Sequence, residues 1–354
     1  FSNFNTNNGK LRILNIYNMA QKLNHRIYNL SLGKKFTNGF IRNGHDVIEI
    51  SDRDYVRQNK AFNLLSFKNK FHSYLIKTFK NYNPDLILFG HTDNLSADII
   101  SNFKELNKNL IISQWNEDPL MKKLHDTKMN NKKLKDLFPI VDHSFITTNP
   151  DNLDISKKYI KNVHFLMTPV DKNIECFDVY NLKPENDIFY AMSHGVNRAT
   201  LKAGKIDNRV IFLKKLINKI KDIKYDFYGF GKQEPVWGNE FYKSLLNSKM
   251  ALNLSRGEPT KYYSSNRIAS LMGNGLLVFI DKKVKMNDFF NSKEIIFYNN
   301  INDLADKIKF YSRNDKLRKS IAKNGKDKYF KLFNETRVSK YLIDTSLGKN
   351  TSLF

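Results

Sequence analysis

Apolar residues along the chain fall into two patterns: short uninterrupted runs, and longer segments with an apolar residue every three or four positions. Leu11 to Tyr17 (LRILNIY) is the first run and reads as a strand. From Leu30 to Asn43 the spacing of Leu32, Phe36, Phe40 and Ile41 predicts a helix, and Asn43-Gly44-His45 turns the chain into a strand over Asp46 to Ile50. The alternation continues with a helix over Phe67 to Asn81, a strand over Leu86 to Phe89, a helix over 95–107 and a strand over Leu110 to Ser113. Val141 to Thr148 and Val163 to Leu166 add two more strands. Buried strands separated by helices imply a parallel sheet covered on both faces.

Periodicity lapses over Phe177 to Asn186, which contains Pro184, and the rhythm restarts with Asp187 to Met192 (DIFYAM). Arg209 opens a helix with Ile211, Phe212, Leu216 and Ile220 at helical spacing. Asp226 to Gly231 is a strand running into a glycine turn, Phe241 to Asn247 a short helix, and Met250 to Leu254 a strand. A last strand, Ile295 to Tyr298, precedes basic helices over Ile301 to Ser312, Asp315 to Asn324 and Lys326 to Phe333. Val338 to Ile343 continues the helical pattern and is expected to cross back to the first domain. The expected organisation is therefore a first α/β domain over 1–174, a second over 175–334, and a C-terminal helix and tail over 335–354.

The second half is organised around Ser255 to Asp281 (SRGEPTKYYSSNRIASLMGNGLLVFID). Tyr262, Tyr263, Ser264, Ser265 and Asn266 precede a helix predicted to begin within a turn of Arg267, so serine or asparagine caps are expected there. Gly273 and Gly275 end that helix, and Leu276 to Ile280 form a buried strand. A capped helix N-terminus beside a cation and hydroxyls suits a phosphate or pyrophosphate. A strand, a basic loop containing Arg198 and a helix opening at Arg209 repeat the arrangement. Gly229 and Gly231 lack the spacing of a dinucleotide fingerprint. In the first half, two strands end in polar clusters that hold His91, Asp93, Glu117 and Asp118. Ligands of open parallel sheets bind beyond the carboxyl ends of strands, which places these four for chemistry.

At 354 residues two domains are the natural expectation. Lysine and arginine total 59 against 35 acids, a net charge of +24, which either reflects compositional bias or favours an anionic partner such as a phosphorylated donor or an acidic membrane surface. No nucleic-acid-binding module is recognisable, so sequence-specific nucleic-acid recognition is not expected. Cys176 is the one cysteine, which excludes an intrachain disulfide and a cysteine-based zinc site and suggests a reducing, cytoplasmic setting. Apolar runs are far short of a bilayer span, so the expected protein is soluble or peripheral.

Taken in order, DIFYAM, NRVIFLKKL, YDFYGFG, YKSLLNSKMALNLSRG, SSNRIASLMGNGLLVFID, IIFYNNINDLADKI and LRKSIAKNGKDKYFKLFN resemble the donor domain of GT-B glycosyltransferases, most closely the spore-coat CgeB-like group. PDLILFGH, ISQWNEDP, VDHSFITTN and TPVD carry a weaker likeness to the acceptor domain. The resemblance implies two Rossmann-like domains facing a cleft, a nucleotide-sugar donor on the C-terminal domain and a glycan, lipid-linked or protein acceptor on the N-terminal one. It implies that Arg209 and Arg267 neutralise the diphosphate, that Ser264, Ser265 and Asn266 contact phosphate or sugar, and that Gly229, Arg198 and Tyr262 lie at the donor site. Asp93, Glu117, Asp118 and His91 are candidate bases for an acceptor hydroxyl. No metal and no cofactor beyond the sugar nucleotide is expected. Many retaining members carry a pair of glutamates where this chain has Tyr262 and Ser270, which leaves the stereochemistry open. It also keeps a non-catalytic binder of a nucleotide or anionic glycan as the alternative reading.

Overall fold

The computed structural model describes residues 9–21, 31–59, 64–120, 132–153, 159, 161–193, 201–202 and 205–353. Arg198 lies outside the described residues. The N-terminal sheet consists of β1 (Arg12–Tyr17), β2 (Asp46–Ile50), β3 (Leu86–Gly90), β4 (Ile111–Asn116), β5 (His143–Ile146) and β6 (Val163–Phe165). Its order is β2-β1-β3-β4-β5-β6, and every pairing is parallel. Helices α1 (Leu32–Arg42), α2 (Asp52–Gln58), α3 (Leu64–Tyr82) and α4 (Ala97–Leu106) connect the strands. In α1 the predicted apolar face is real for Leu32, Phe36 and Phe40, but Ile41 points outward, 54% exposed.

Strand β4 runs past its predicted end to Asn116, because the chain satisfies its buried polar residues. Gln114 donates to Ser144 Oγ at 2.9 Å, so a polar side chain continues the strand without an orphaned amide. Helix α2 was not foreseen in the apolar pattern. It is built on capping: the Ser51 side chain accepts from Asp54 N, and Asp52 and Asp54 occupy the first turn.

The C-terminal sheet holds β7 (Asn186–Ala191), a hairpin of β8 (Leu201–Lys202) and β9 (Lys205–Ile206) outside it, then β10 (Tyr225–Tyr228), β11 (Ser248–Asn253), β12 (Leu277–Asp281) and β13 (Ile296–Tyr298). The sheet order is β10-β7-β11-β12-β13, again parallel throughout. From β7 the chain goes to β10 on one side and then to β11 on the other, so the carboxyl ends of β7 and β11 form a topological switch point. Around the sheet lie α5 (Asn208–Lys219), α6 (Gly238–Leu246), α7 (Arg267–Gly273), α8 (Ile301–Arg313), α9 (Asp315–Phe333) and α10 (Glu335–Ser346). In α5 the buried face is Leu213 and Leu216 with Ile220 just beyond, whereas Ile211 is 43% exposed and not part of it.

The two helices expected on either side of Gly325 are one helix, α9. Gly325 is not a break: a Cβ there would stand 2.2 Å from the Glu294 carbonyl oxygen, so glycine is required by close packing rather than by a turn. The chain then returns to the first sheet. Val170 pairs with Asn334 in a parallel bridge, and α10 lies along α1, with Asn43 Nδ2 donating to Thr336 O at 2.9 Å and Ser339 Oγ to Phe36 O at 3.3 Å. One apolar cluster extends from Phe36 and Leu88 through Val170 to Phe189, Ile268 and Leu342, so both sheets share a continuous core.

Candidate functional site

A cleft of 530 Å³ opens where the ends of the two sheets meet. Glu117 and Asp118, just past β4, and Ser31, at the N-cap of α1, line it from the first sheet. From the second sheet come Arg209, Ser265, Asn266, Arg267 and Ser270, together with an apolar wall of Val236, Trp237 and Phe241. A volume of this size lies within the roughly 300–1,000 Å³ of small-molecule sites. Apolar surface at one side and converging polar groups at the other suit an amphiphilic ligand.

Arg267 sits over the switch point of the C-terminal sheet. Its Nε donates to the Ala191 carbonyl at the end of β7, and a terminal nitrogen donates to the Leu254 carbonyl just past β11, both at 3.0 Å. The guanidinium also lies over the Tyr190 ring, 5.0 Å from its centroid. Among the described residues no carboxylate lies within ion-pair distance of it. Burial disfavours its charge, Tyr190 favours it, and the neighbouring charge of Arg209 disfavours it further, so its pKa is lowered.

Arg209 is held differently. Asp207 caps α5, and its carboxylate accepts from Arg209 N at 2.9 Å, from Nε at 3.0 Å and from a terminal nitrogen at 2.8 Å. Burial opposes the Arg209 charge, but Tyr190 and Asp207 outweigh it and raise the pKa. Two guanidiniums therefore face one cleft, one neutralised by its own aspartate and the other by backbone dipoles and an aromatic face. An anion between them would relieve the repulsion and satisfy both.

The expected cap at Ser264–Asn266 is not what this loop provides. Asn266 is the N-cap of α7 but makes no side-chain capping bond. Ser264 is turned inward, receiving Asn253 Nδ2 at 2.9 Å and donating to Ser265 O, and it does not line the cleft. Ser265 does line it, and the Ser265 hydroxyl is buried without a hydrogen-bond partner among the described residues. Helix α7 spans only seven residues, so aligned peptide dipoles contribute little and the cleft's positive character is carried by the two arginines.

Tyr262 and Gly229 also stand away from the cleft. Tyr262 adopts a left-handed backbone (φ 62°), its hydroxyl donates to Asp288 at 2.6 Å, and its ring packs on Phe165 and Phe289. Gly229, φ 69°, makes the turn after β10 and is not part of the lining. Tyr263, by contrast, is 4% exposed and lines the cleft. Burial raises its phenol pKa, and so do the carboxylates of Asp118 and Glu117 facing it from the other sheet.

On the N-terminal rim the four predicted residues divide. His91 follows β3 in a left-handed backbone (φ 52°), with its ring 5.3 Å from that of Trp115. The preceding Gly90 leaves room for that indole, since a Cβ there would lie 2.2 Å from ring atoms of Trp115. His91 Nε2 stands 3.2 Å from Glu117 Oε1; burial works against the imidazolium, but Glu117 prevails and raises its pKa. Asp93 is 60% exposed in its side chain and pairs with Arg53 at 2.6 Å.

His91 and Asp93 line a smaller, 110 Å³ pocket with Arg53, Trp115 and Lys133, outside the main cleft. Asp118 lines both spaces. Its carboxyl pKa is raised, chiefly by burial and also by Glu117, against lowering by His91 and Arg256. A carboxylate with a raised pKa facing two adjoining pockets is suited to accept a proton from a group held between them.

Val236, Trp237, Phe241, Tyr263 and Ser270 also line the cleft and were not named as site residues from the sequence. A lone tryptophan in the turn Pro235-Val236-Trp237-Gly238 was the available signal. No helix among the described residues is long and apolar enough to cross a membrane.

Residues 209–344 match a family model described as glycosyl transferase-like. No curated protein matches the chain by sequence. Among solved structures, Anabaena Alr3699/HepE in complex with UDP and glucose superposes with a TM-score of 0.59 at 10% identity, covering 96% of this chain and 100% of the other. A glycosyltransferase from Rickettsia africae aligns with a TM-score of 0.58 at 13% identity over 97% of this chain and 100% of that one. For sucrose-phosphate synthase from Thermosynechococcus elongatus the TM-score is 0.57 at 12% identity, over 96% and 99%. The chain thus has the two-domain α/β fold of GT-B glycosyltransferases, and its second half contains a glycosyl transferase-like domain.

Proposed function

We propose that the protein is a glycosyltransferase that moves a sugar from a nucleotide-sugar donor to a hydroxyl of a glycan, lipid-linked or protein acceptor. The observation that carries this reading is the part-buried Arg267 guanidinium, which has no carboxylate within ion-pair distance among the described residues and lines the 530 Å³ cleft together with Arg209. A diphosphate is the ligand that such a pair accommodates. The buried Ser265 hydroxyl supplies a further donor, and Trp237 with Val236 and Phe241 offers an apolar face for a nucleobase. UDP in complexes of Alr3699/HepE supports a uridine nucleotide as the first donor to try.

In this account the segment 175–334 holds the donor and 1–174 the acceptor. The acceptor hydroxyl attacks the anomeric carbon, the bond from that carbon to the diphosphate breaks, and the diphosphate leaves against Arg209 and Arg267. On an inverting path Asp118 takes the hydroxyl proton, with His91 and Glu117 setting its field; on a retaining path the leaving phosphate takes it. The arginines stabilise the leaving charge without a metal. Kinship to the CgeB-like group rests on the ordered segments of the C-terminal half, and a cytoplasmic, membrane-peripheral setting on the composition and basic charge.

Ser270 supports a second reading. It lines the cleft at one of the two positions where the resemblance implies a glutamate in many retaining members, and a protein without that group can bind a nucleotide or anionic glycan without transferring it. Release of UDP from UDP-sugars by the purified protein, with product stereochemistry read by NMR, tests the first reading. Binding of the nucleotide without release under any acceptor condition would favour the second.

A further inference from the structure

Behind the main cleft, a separate 240 Å³ pocket opens at the carboxyl ends of β11, β12 and β13. Arg209 and Tyr263 line both spaces and form the partition between them. Two rings in contact, Phe212 and Tyr298 with centroids 6.4 Å apart, form part of the pocket's lining. Its polar lining includes Asn253, Glu258, Asp281 and Lys283.

Asn253 is the informative residue. It is 4% exposed, and its Nδ2 is committed to Ser264 Oγ, while Oδ1 has no hydrogen-bond partner among the described residues. A buried amide oxygen without a donor is costly unless a ligand or water supplies one. Asp281 adds a second acceptor. Its Oδ1 receives Lys283 N at 2.8 Å, and burial raises its carboxyl pKa while Lys283 opposes the rise. The Lys283 ammonium and the Arg209 guanidinium are offset by the opposite charges of Asp281, Glu258 and Asp207, so the pocket carries no surplus positive charge for a phosphate. Hydrogen-bond acceptors beside aromatic rings are instead the arrangement that hydroxyl groups on a compact ring require.

The geometry points to a second ligand site here, which takes a single neutral sugar ring. The pocket lies below the roughly 300–1,000 Å³ typical of larger ligands, and this excludes a whole nucleotide. Two sources share this chemistry: a free glycosyl unit bound independently of the donor, and the sugar of the donor itself reaching past Arg209.

Saturation-transfer NMR on the full chain separates them, using methyl glucoside, methyl galactoside and methyl mannoside as probes, alone and with UDP or UDP-glucose added. The expected result is saturation of ring protons of at least one glycoside, with affinity weakened roughly tenfold in both Asp281→Ala and Lys283→Ala. Neither residue lines the main cleft, and circular dichroism with the melting temperature of each variant alone checks that it is folded. Displacement by UDP-glucose but not by UDP assigns the pocket to the donor's sugar; persistence with both assigns it to an independent glycosyl unit. No saturation with any of the three glycosides, or saturation equal in wild type and both variants, overturns the proposal. The glycoside arm needs no nucleotide, so its failure is distinct from failure of the glycosyltransferase reading.

Discussion

Arg267 Nε lies 3.0 Å from the carbonyl oxygen of Ala191, the last residue of β7, and this single bond ties a side chain of the Ser255–Asp281 segment to the switch point of the C-terminal sheet. The cation is fixed by backbone rather than by an acid, so its charge is available to a ligand. That arrangement is costly without an anion and favourable with one, which is what a diphosphate site needs.

Asp118 is expected to set the acid limb of activity. Burial raises its carboxyl pKa, so the active carboxylate forms only as pH climbs above the ordinary carboxylate range. The rate should therefore rise with pH through that raised value. Asp118→Asn should lower kcat by about 10²–10⁴-fold, the usual loss on removing a general base, and flatten the limb. A profile of kcat/KM against pH for both proteins measures this. An unchanged acid limb in the variant would remove Asp118 from the proton path.

Lys35 and Glu175 form an ion pair of 2.6 Å with both side chains fully buried, and Lys35 also donates to Pro169 O at 3.0 Å. The pair joins α1 to the crossover between the sheets. Lys35→Met alone should destabilise by about 3–5 kcal/mol, since it leaves a buried carboxylate unpaired, whereas Lys35→Met with Glu175→Leu should recover most of that loss. Urea unfolding of the two variants gives the comparison. Equal destabilisation in both would mean that the pair's charges are not the issue.

Gly325→Ala distinguishes packing from helix propensity. Inside α9 alanine is intrinsically better by about 1 kcal/mol, but the new Cβ meets the Glu294 carbonyl. Overpacking should win, with a net loss of about 1–3 kcal/mol. A rise in Tm would contradict the close approach.

The alternation of apolar runs and helical periods made both sheets legible, because buried parallel strands read as continuous runs. Their limits were less so. Gln114 and Ser144 satisfy each other across β4 and β5, a pairing made only in three dimensions, and Gly325 looked like a break because a packing glycine and a turn glycine are the same letter. In the candidate site, Arg267 was visible as a cation at a helix start and Asp118 as an acid at a strand end. Which of their neighbours share the cleft was not, because Tyr262 and Tyr263 are adjacent in sequence yet a left-handed backbone at Tyr262 sends one ring outward to Phe289 while Tyr263 lines the cleft. The partners of Asp93 are Arg53, forty residues earlier, and Lys133, forty residues later, again beyond any local pattern.

The most direct test of the account is calorimetric titration of the full chain with UDP, and in parallel with the other nucleoside diphosphates, for wild type and Arg267→Met. The account predicts binding of one nucleotide by the wild type and a loss in the variant of about 10–100-fold, as expected for a charge-assisted contact worth about 1.5–3 kcal/mol, with no change in fold by circular dichroism. Equal affinity in the two proteins, or no binding of any nucleoside diphosphate to the wild type, would contradict it.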